Sequence, residues 1–331
     1  MRIALDAMGG DYAPDVVVAG ALLASEKLDG NIILVGDPAR IKACLDGCAP
    51  TNVSIHPASE VVEMHDKPTV ALRRKKDSSL AVACQLVKDG QADAMVSAGN
   101  TGAVTACSLV SWRPIEGVHR PAIASYVPTK HGRFLLLDAG ASPDVDPVHL
   151  LEFALMGRAY AEKVMQRVNP SVHLLNIGEE PGKGNAFAKR AHELLSDHAW
   201  FAGNIEGTEM FRSPCDVVVC DAFAGNLVLK TAEGVSQFIM DEIKRSVSSG
   251  FARLAALPLK LALRPVKKLL DYAEYGGSPL LGLNGMCIIC HGHSNARAIA
   301  SAVALAAVAI QNDLVPTIRE AVAHESKLKN A

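Results

Sequence analysis

The stretch DAMVSAGNTGA, residues 93–103, decides the fold. Its first five residues, Asp93–Ser97, form a short apolar run of the kind expected for a β-strand covered on both faces. The run ends at Ser97, and Gly99, Asn100, Thr101 and Gly102 turn the chain into the start of a helix. The same strand–turn–helix phrase recurs along the chain. Further strands are predicted at Arg2–Leu5, Asn31–Val35, Val53–His56, Ala122–Tyr126, Phe134–Asp138, Val172–Asn176, Asp216–Asp221 and Met286–Cys290. Helical periodicity is clearest over Ser79–Val87, Val148–Gln166, Ala186–Ser196, Leu227–Ser246 and Ser294–Ile310. Strands alternating with helices predict a parallel α/β sheet with right-handed crossovers and helices on both faces.

Composition agrees with a globular enzyme. The 331 residues are 49% hydrophobic and 21% charged, which suits one large domain or two lobes around a substantial core. Aromatics make up only 5%, so aliphatic side chains and alanine must fill that core. A net charge of -2 gives no overall basic footprint and argues against nucleic acid as the main partner. Neither a signal-peptide core nor an apolar run long enough to span a membrane is present, so a cytoplasmic setting is expected. The eight cysteines should then be reduced, mostly small buried hydrophobes.

Five strand ends run into glycine-containing loops: LDAMGGD (5–11), VSAGNTGA (96–103), LDAGAS (137–142), LNIGEEPGKG (175–184) and VCDAFAGN (219–226). Ligands of open α/β sheets bind outside the carboxyl ends of the strands, where helix N-termini offer free N–H groups to anions. Any one such loop is explained by turn formation and helix capping. Five together point to a shared anion site. Gly9, Gly10, Gly99, Gly102 and Gly225 would let backbone approach a ligand, and Asn100 and Thr101 would bond an oxyanion. Asp6 and Asp11 flank the first glycine pair without a neighbouring Glu or His cluster, so no metal site is expected there.

Lys183 lies between two glycines, but the spacing is not that of a nucleotide P-loop. Only three residues separate Gly178 from Gly182, and Gly184 stands where a magnesium-binding Ser or Thr is required. Lys183 could still meet a phosphate or polarise a carbonyl. Asp221 closes a strand, and Asn226 is expected to start a long helix. In CIICHGHSNAR (287–297) the CxxCH spacing matches haem attachment, yet no export signal accompanies it and no second CxxC pair completes a zinc site. A strand, a polar loop and a helix start explain it better, with His291 and Ser294 able to reach the site.

Residues 243–270 differ from the rest. They contain seven cations and no acidic residue, interleaved with LAALPL and LAL and interrupted by Pro258 and Pro265. A basic amphipathic element of this kind reads as a contact with a membrane surface or an anionic protein. Arg253, Leu254, Leu257, Lys260, Leu261 and Arg264 are its candidate contact residues.

Taken in order, DAMGGD, SAGNTGA, GEEPGKG, CDAFAGN and CIICHG resemble the phosphate acyltransferase family of bacterial phospholipid synthesis (the PlsX family) from end to end. That resemblance implies a three-layer α/β/α sandwich with a mainly parallel sheet, similar to the isocitrate/isopropylmalate dehydrogenase and phosphotransacetylase folds. It implies transfer of a long-chain acyl group from acyl carrier protein to inorganic phosphate, giving acyl phosphate for a membrane glycerol-3-phosphate acyltransferase. It also implies a homodimer that associates peripherally with the cytoplasmic membrane and needs no cofactor. Lys183 and Asn226 occupy the positions to which the family's catalytic Lys and Asn correspond, with Asp221 beside them. A covalent route through Cys107 or Cys220, a short-chain phosphotransacetylase using coenzyme A, a dehydrogenase on the same fold and a non-catalytic membrane scaffold for the carrier are the competing expectations.

Overall fold

The strands form a single sheet whose two halves run in opposite directions. In the computed structural model, which describes residues 1–47, 49–247 and 276–330, eleven strands hydrogen-bond in the order β3-β2-β1-β4-β11-β10-β5-β6-β9-β7-β8. They are β1 Arg2–Asp6, β2 Asn31–Gly36, β3 Val53–Pro57, β4 Ala94–Ser97, β5 Ala122–Thr129 and β6 Gly132–Leu137. The others are β7 Val172–Leu175, β8 Phe201–Ile205, β9 Val217–Val219, β10 Ser278–Leu281 and β11 Met286–Ile289. All of the predicted strands are present, with small shifts at their ends. Two were not foreseen, β8 and β10.

Three of the pairings are antiparallel, so the sheet is mixed rather than parallel throughout. β10 runs antiparallel to both β11 and β5, and β5 antiparallel to β6. The hairpin β5–β6 and the inserted β10 join two parallel halves, β3-β2-β1-β4-β11 and β6-β9-β7-β8.

Side-chain alternation along the strands builds the layers. On one face Ile3, Leu5, Val96, Ile288, Leu135, Leu137, Val217 and Val219 join one apolar cluster. The helices covering it are α1 (Asp15–Ser25), α6 (Pro147–Lys163), α7 (Ala186–Ser196), α9 (Ala296–Gln311) and α10 (Leu314–Asn330). On the other face Ala4, Met95, Cys287 and Ile289 pack with α3 (Pro68–Arg74), α4 (Ser79–Lys88) and α5 (Thr101–Trp112). At the far end of that face Phe134, Leu136 and Val218 meet Ala224, Val228 and Leu229 of α8 (Ala222–Val247). α2 (Pro38–Leu45) adds Ile41 and Leu45 to the first of these clusters. Small residues allow the closest layers: a Cβ on Gly20 of α1 would come within 2.5 Å of the Ile299 Cβ of α9.

α8 begins earlier than the sequence suggests. Its first residue is Ala222, and the Asp221 carboxylate accepts the Ala224 N–H at 2.9 Å as the N-terminal cap. Asn226 therefore sits in the second turn rather than at the helix start. The candidate contact residues of the basic segment, Arg253, Leu254, Leu257, Lys260, Leu261 and Arg264, lie outside the described residues. Among the described residues no single helix is long and apolar enough to cross a membrane.

Candidate active site

The two halves of the sheet run in opposite directions, so the five loops expected to share one site form two clusters at the carboxyl ends of opposed halves, on opposite edges of the sheet. The first gathers the ends of β1, β4 and β11. Asp6 is buried, and its carboxylate accepts the Ser97 hydroxyl at 2.7 Å and the Met8 N–H at 3.3 Å. Burial pushes the Asp6 carboxyl above the ordinary aspartate value, against bonds from Ser79, Ser97, Met8 and Gly9 that hold it down. Ser97 in turn accepts the Gly99 N–H at 3.1 Å. A Cβ on Gly9 would lie 2.5 Å from the Asp6 carboxylate, so only glycine lets the first loop close over that buried acid. Asp6 is thus the anchor beneath the loops.

The loop after β4 divides its roles. Asn100 caps α5, accepting the Ala103 N–H at 3.0 Å, while its amide donates to the Met64 carbonyl at 2.7 Å. Both ends of that side chain are committed to the protein. Thr101 and Gly102 are exposed beside it. The third loop packs on the first through the Asp11 N–H, which donates to the Gly292 carbonyl at 2.8 Å. Ser294 is buried, and Asn295 rather than Ser294 caps α9. His291 is partly exposed, with its ring stacked on His293 at 5.4 Å between centroids. Burial, and then Lys230, hold its pKa below the ordinary imidazole value, partly offset by Glu233.

The second cluster gathers the ends of β6, β7 and β9. Asp138 is fully buried, and its carboxylate accepts four backbone N–H groups: Ile123, Gly140 and Ala141 at 2.9 Å and Ser142 at 2.7 Å. Burial pushes its carboxyl up, and the four amides pull it down. Gly225 is pressed onto the Asp138 carbonyl oxygen, where any Cβ would overlap it. That contact seats the first turn of α8 on the β6 loop and brings the Asn226 carboxamide oxygen to 3.9 Å from where a Gly140 Cβ would stand. Asn226 itself is exposed.

Lys183 is exposed on the β7 loop. Its stem lies over Gly178, and its ammonium is 3.9 Å from Glu180. Asn176 clasps the base of this loop by donating to the Lys183 carbonyl at 3.2 Å. Two residues beyond Lys183, Asn185 caps α7. Asn185 and Asp221 line one cavity of about 530 Å³ with Arg120, Asp144, Asp146 and His149. Of these lining residues only Asp221 was singled out from sequence.

α8 links the two clusters. Its N-terminus leaves the second, and Glu233 on the same helix lies 3.9 Å from His291 in the first. Donors for a metal could come from His119, His149 and Glu152, whose ligand atoms lie within 4.8 Å of one another. They are already engaged: Glu152 holds both the backbone N–H and the ring of His119, and His149 accepts the Asp146 N–H.

Cys220 is a poor candidate for a covalent route, whereas a hydrogen bond with Cys84 holds the Cys107 thiol below the ordinary value. All seven described cysteines are free thiols. Cys220 is buried, and burial with Asp221 and Asp138 nearby pushes its thiol well up. Cys107 faces a different hollow, lined by Leu72, Val82 and Val110 between α3, α4 and α5. Cys287 and Cys290 are buried in and just after β11, and burial raises the Cys290 thiol to about 12. The CxxCH spacing is thus part of the core.

Residues 1–316 match the family described as fatty acid synthesis protein. A phosphate acyltransferase of Heliobacterium modesticaldum is 50% identical over 328 residues, covering 97% of this chain and 97% of that protein. One of Desulfitobacterium hafniense is 48% identical over 324 residues, with 97% of each chain covered. Among solved structures, a phosphotransacetylase from Streptococcus pyogenes superposes with a TM-score of 0.62 at 18% identity, covering 94% of both chains. A branched-chain phosphotransacylase from Enterococcus faecalis gives 0.56 at 13% identity, covering 94% of this chain and 99% of that one. Those two similarities establish the three-layer fold.

Proposed function

The chain belongs to the fatty acid synthesis protein family, whose members include phosphate acyltransferases, and from that membership we propose that it transfers a long-chain acyl group from acyl carrier protein to inorganic phosphate. A phosphate oxygen attacks the thioester carbonyl carbon, the carbon–sulfur bond breaks, and acyl phosphate leaves. The proton that hydrogen phosphate gives up balances the one the carrier thiol takes. The transfer therefore needs neither a redox partner nor a cofactor.

Phosphate is held from the first cluster, by the Gly9–Gly10 turn and the exposed Thr101 and Gly102 with His291 and Ser294 at its edge, on the side where α8 crosses from the second cluster to bring Glu233 within 3.9 Å of His291. The carbonyl oxygen, which becomes anionic during attack, is met by Lys183 and the Asn226 amide. Asp221 holds the α8 turn that carries Asn226. Oxyanion donors placed in advance are worth about 10²–10³ each in rate. The observation that carries this assignment is the packing of Gly225 on Asp138, which fixes Asn226 at the strand rim beside a cavity shared by Asp221 and Asn185. Acyl phosphate would then serve a membrane glycerol-3-phosphate acyltransferase, with this protein a homodimer in peripheral contact with the membrane. Phe223, Leu227, Phe238 and Ile239, all exposed on α8, support a face that is covered in the working assembly.

The test is incubation with long-chain acyl carrier protein and phosphate, reading acyl phosphate by mass. Product from the carrier thioester supports the reading. Product from short-chain coenzyme A thioesters alone would make the protein a phosphotransacetylase, and no phosphate-dependent product would leave a scaffold.

A further inference from the structure

Many surface cations of this chain have a carboxylate partner on the same element. Lys183, Arg190, Arg212, Lys230, Lys244 and Arg245 each pair with an acid three residues away. The segment from Lys67 to Lys76 departs from this. Lys67, Arg73, Arg74 and Lys76 are all exposed, and none makes an ion pair or side-chain hydrogen bond among the described residues. The acids beside them are engaged by other partners. Asp66 is taken by Lys75 at 2.6 Å, Asp77 by the Ser59 hydroxyl and N–H, and Glu60 accepts the Asp77 N–H at 2.9 Å. Glu63 alone keeps an exposed carboxylate without such a partner among the described residues.

The helix α3, which carries Arg73 and Arg74 with Lys67 as its N-cap residue, has an apolar side chain on its outer side as well as its inner one. Ala71 of α3 is buried, whereas Val70 is 44% exposed and shares the outer side with Lys67 and Arg74 by helical spacing. Met64, 40% exposed, adds a second apolar spot at the same rim. The segment offers four free cations and two exposed apolar side chains, which complements an acidic helix bearing apolar positions.

Its place in the fold gives it meaning. α3 lies across the N-terminus of α5: a Cβ on Gly102 would meet Pro68 at 2.9 Å. The Asn100 amide donates to the Met64 carbonyl, and a Cβ on Gly292 would lie 2.7 Å from the Met64 methyl. The N-terminal end of the cationic segment thus packs against the loops of the first cluster, with Arg73, Arg74 and Lys76 following along α3 and just beyond it.

We propose that Lys67, Arg73, Arg74 and Lys76, with Met64 and Val70, form the docking face for the acidic carrier protein that delivers the thioester. This rests on the carrier-dependent transfer proposed above. A carrier seated there would reach the strand-end loops with its prosthetic arm. Unpaired cations of one sign also steer an acidic partner to the rim, an effect that salt removes.

The full-length protein and its R73E/R74E variant are titrated with long-chain acyl carrier protein at low ionic strength. Carrier affinity is expected to fall at least about tenfold in the variant, and the wild-type affinity to weaken with salt. Transfer from a coenzyme A thioester, which has no protein to dock, stays within about twofold of wild type in the same variant. Co-sedimentation with phosphatidylglycerol vesicles stays unchanged. Equal carrier affinity in the two proteins overturns the proposal, as does lost vesicle binding with carrier affinity intact, which would give this face to the membrane. A K67E/K76E variant gives the same reading if R73E/R74E fails to melt cooperatively. Carrier binding without acyl phosphate formation would sink the proposed reaction and leave the docking face standing; acyl phosphate formation with unaltered variant binding would do the reverse.

Discussion

The backbone carbonyl of Asp138 and the α-carbon of Gly225 are in direct contact, with no room for a side chain between them. This contact joins two strand-end loops and sets the pitch at which α8 leaves the sheet. Gly225→Ala should therefore displace the first turn of α8 and Asn226 with it. Overpacking of this kind costs about 1–3 kcal/mol, and here the obstacle is backbone, so the upper end is expected. Thermal melting of Gly225→Ala should fall by several degrees, and turnover should drop further than stability alone explains. Gly234→Ala, in the same helix with nothing near its α-carbon, should be neutral or stabilise by about 0.5–1 kcal/mol.

The Asp138 carboxylate organises the other side of that contact. Four backbone N–H groups converge on its two oxygens. A carboxamide in its place would offer one oxygen and would turn an NH₂ toward donors. Asp138→Asn should cost about 2–4 kcal/mol in denaturant titration, because buried N–H groups lose their acceptor. A melt indistinguishable from wild type would contradict this role.

Ser97→Ala tests the first cluster. It deletes the hydroxyl that donates to the buried Asp6 and accepts from Gly99. A hydrogen bond to a charged group contributes about 1.5–3 kcal/mol, so a loss in that range is expected. Phosphate affinity should weaken in parallel, since the amides of the 99–102 loop are then held less firmly. Calorimetric titration with phosphate reads this.

The pH dependence of stability should carry a signature from His291. Its folded pKa lies below the ordinary value of about 6.5, because burial and Lys230 disfavour the imidazolium more than Glu233 favours it, and His293 adds to the penalty. The neutral ring's contribution is fully present above the unfolded pKa and is lost as pH falls through that value toward the folded one. Urea midpoints of wild type should therefore drop from pH 7.5 to pH 5.5 by more than those of His291→Gln. Parallel slopes in the two proteins would remove His291 from the account.

Much of the fold was legible in the sequence because strands buried on both faces leave continuous apolar runs, as in Ile32–Val35, Leu135–Leu137 and Val217–Val219. β8 was not, because Phe201–Ile205 is partly exposed on the sheet edge and includes Gly203 at φ +97. β10 was missed because Ser278–Leu281 is four residues long with a proline at its second position. The antiparallel joins follow from tertiary pairing and leave no periodic signal. At the site, the strand-end loops were readable from Gly, Asn and Asp after apolar runs. Their internal division was not, since Asn100 looks like a free ligand until Met64 and Ala103 take both ends of its side chain. Asp138 was present in LDAGAS without being singled out; its kinship to Asp6 in LDAMGG is the signal that could have found it. Arg120, Asp144 and Asn185 belong to no motif and meet only in space.

The central claim is that Lys183 and Asn226 stabilise the oxyanion formed when phosphate attacks a carrier-bound thioester. Phosphate-dependent acyl phosphate formation from long-chain acyl carrier protein, followed by mass for wild type, Lys183→Ala and Asn226→Ala, tests it most directly. Each variant should melt as wild type does and lose about 10²–10³ in kcat. Folded variants that turn over at the wild-type rate would contradict it.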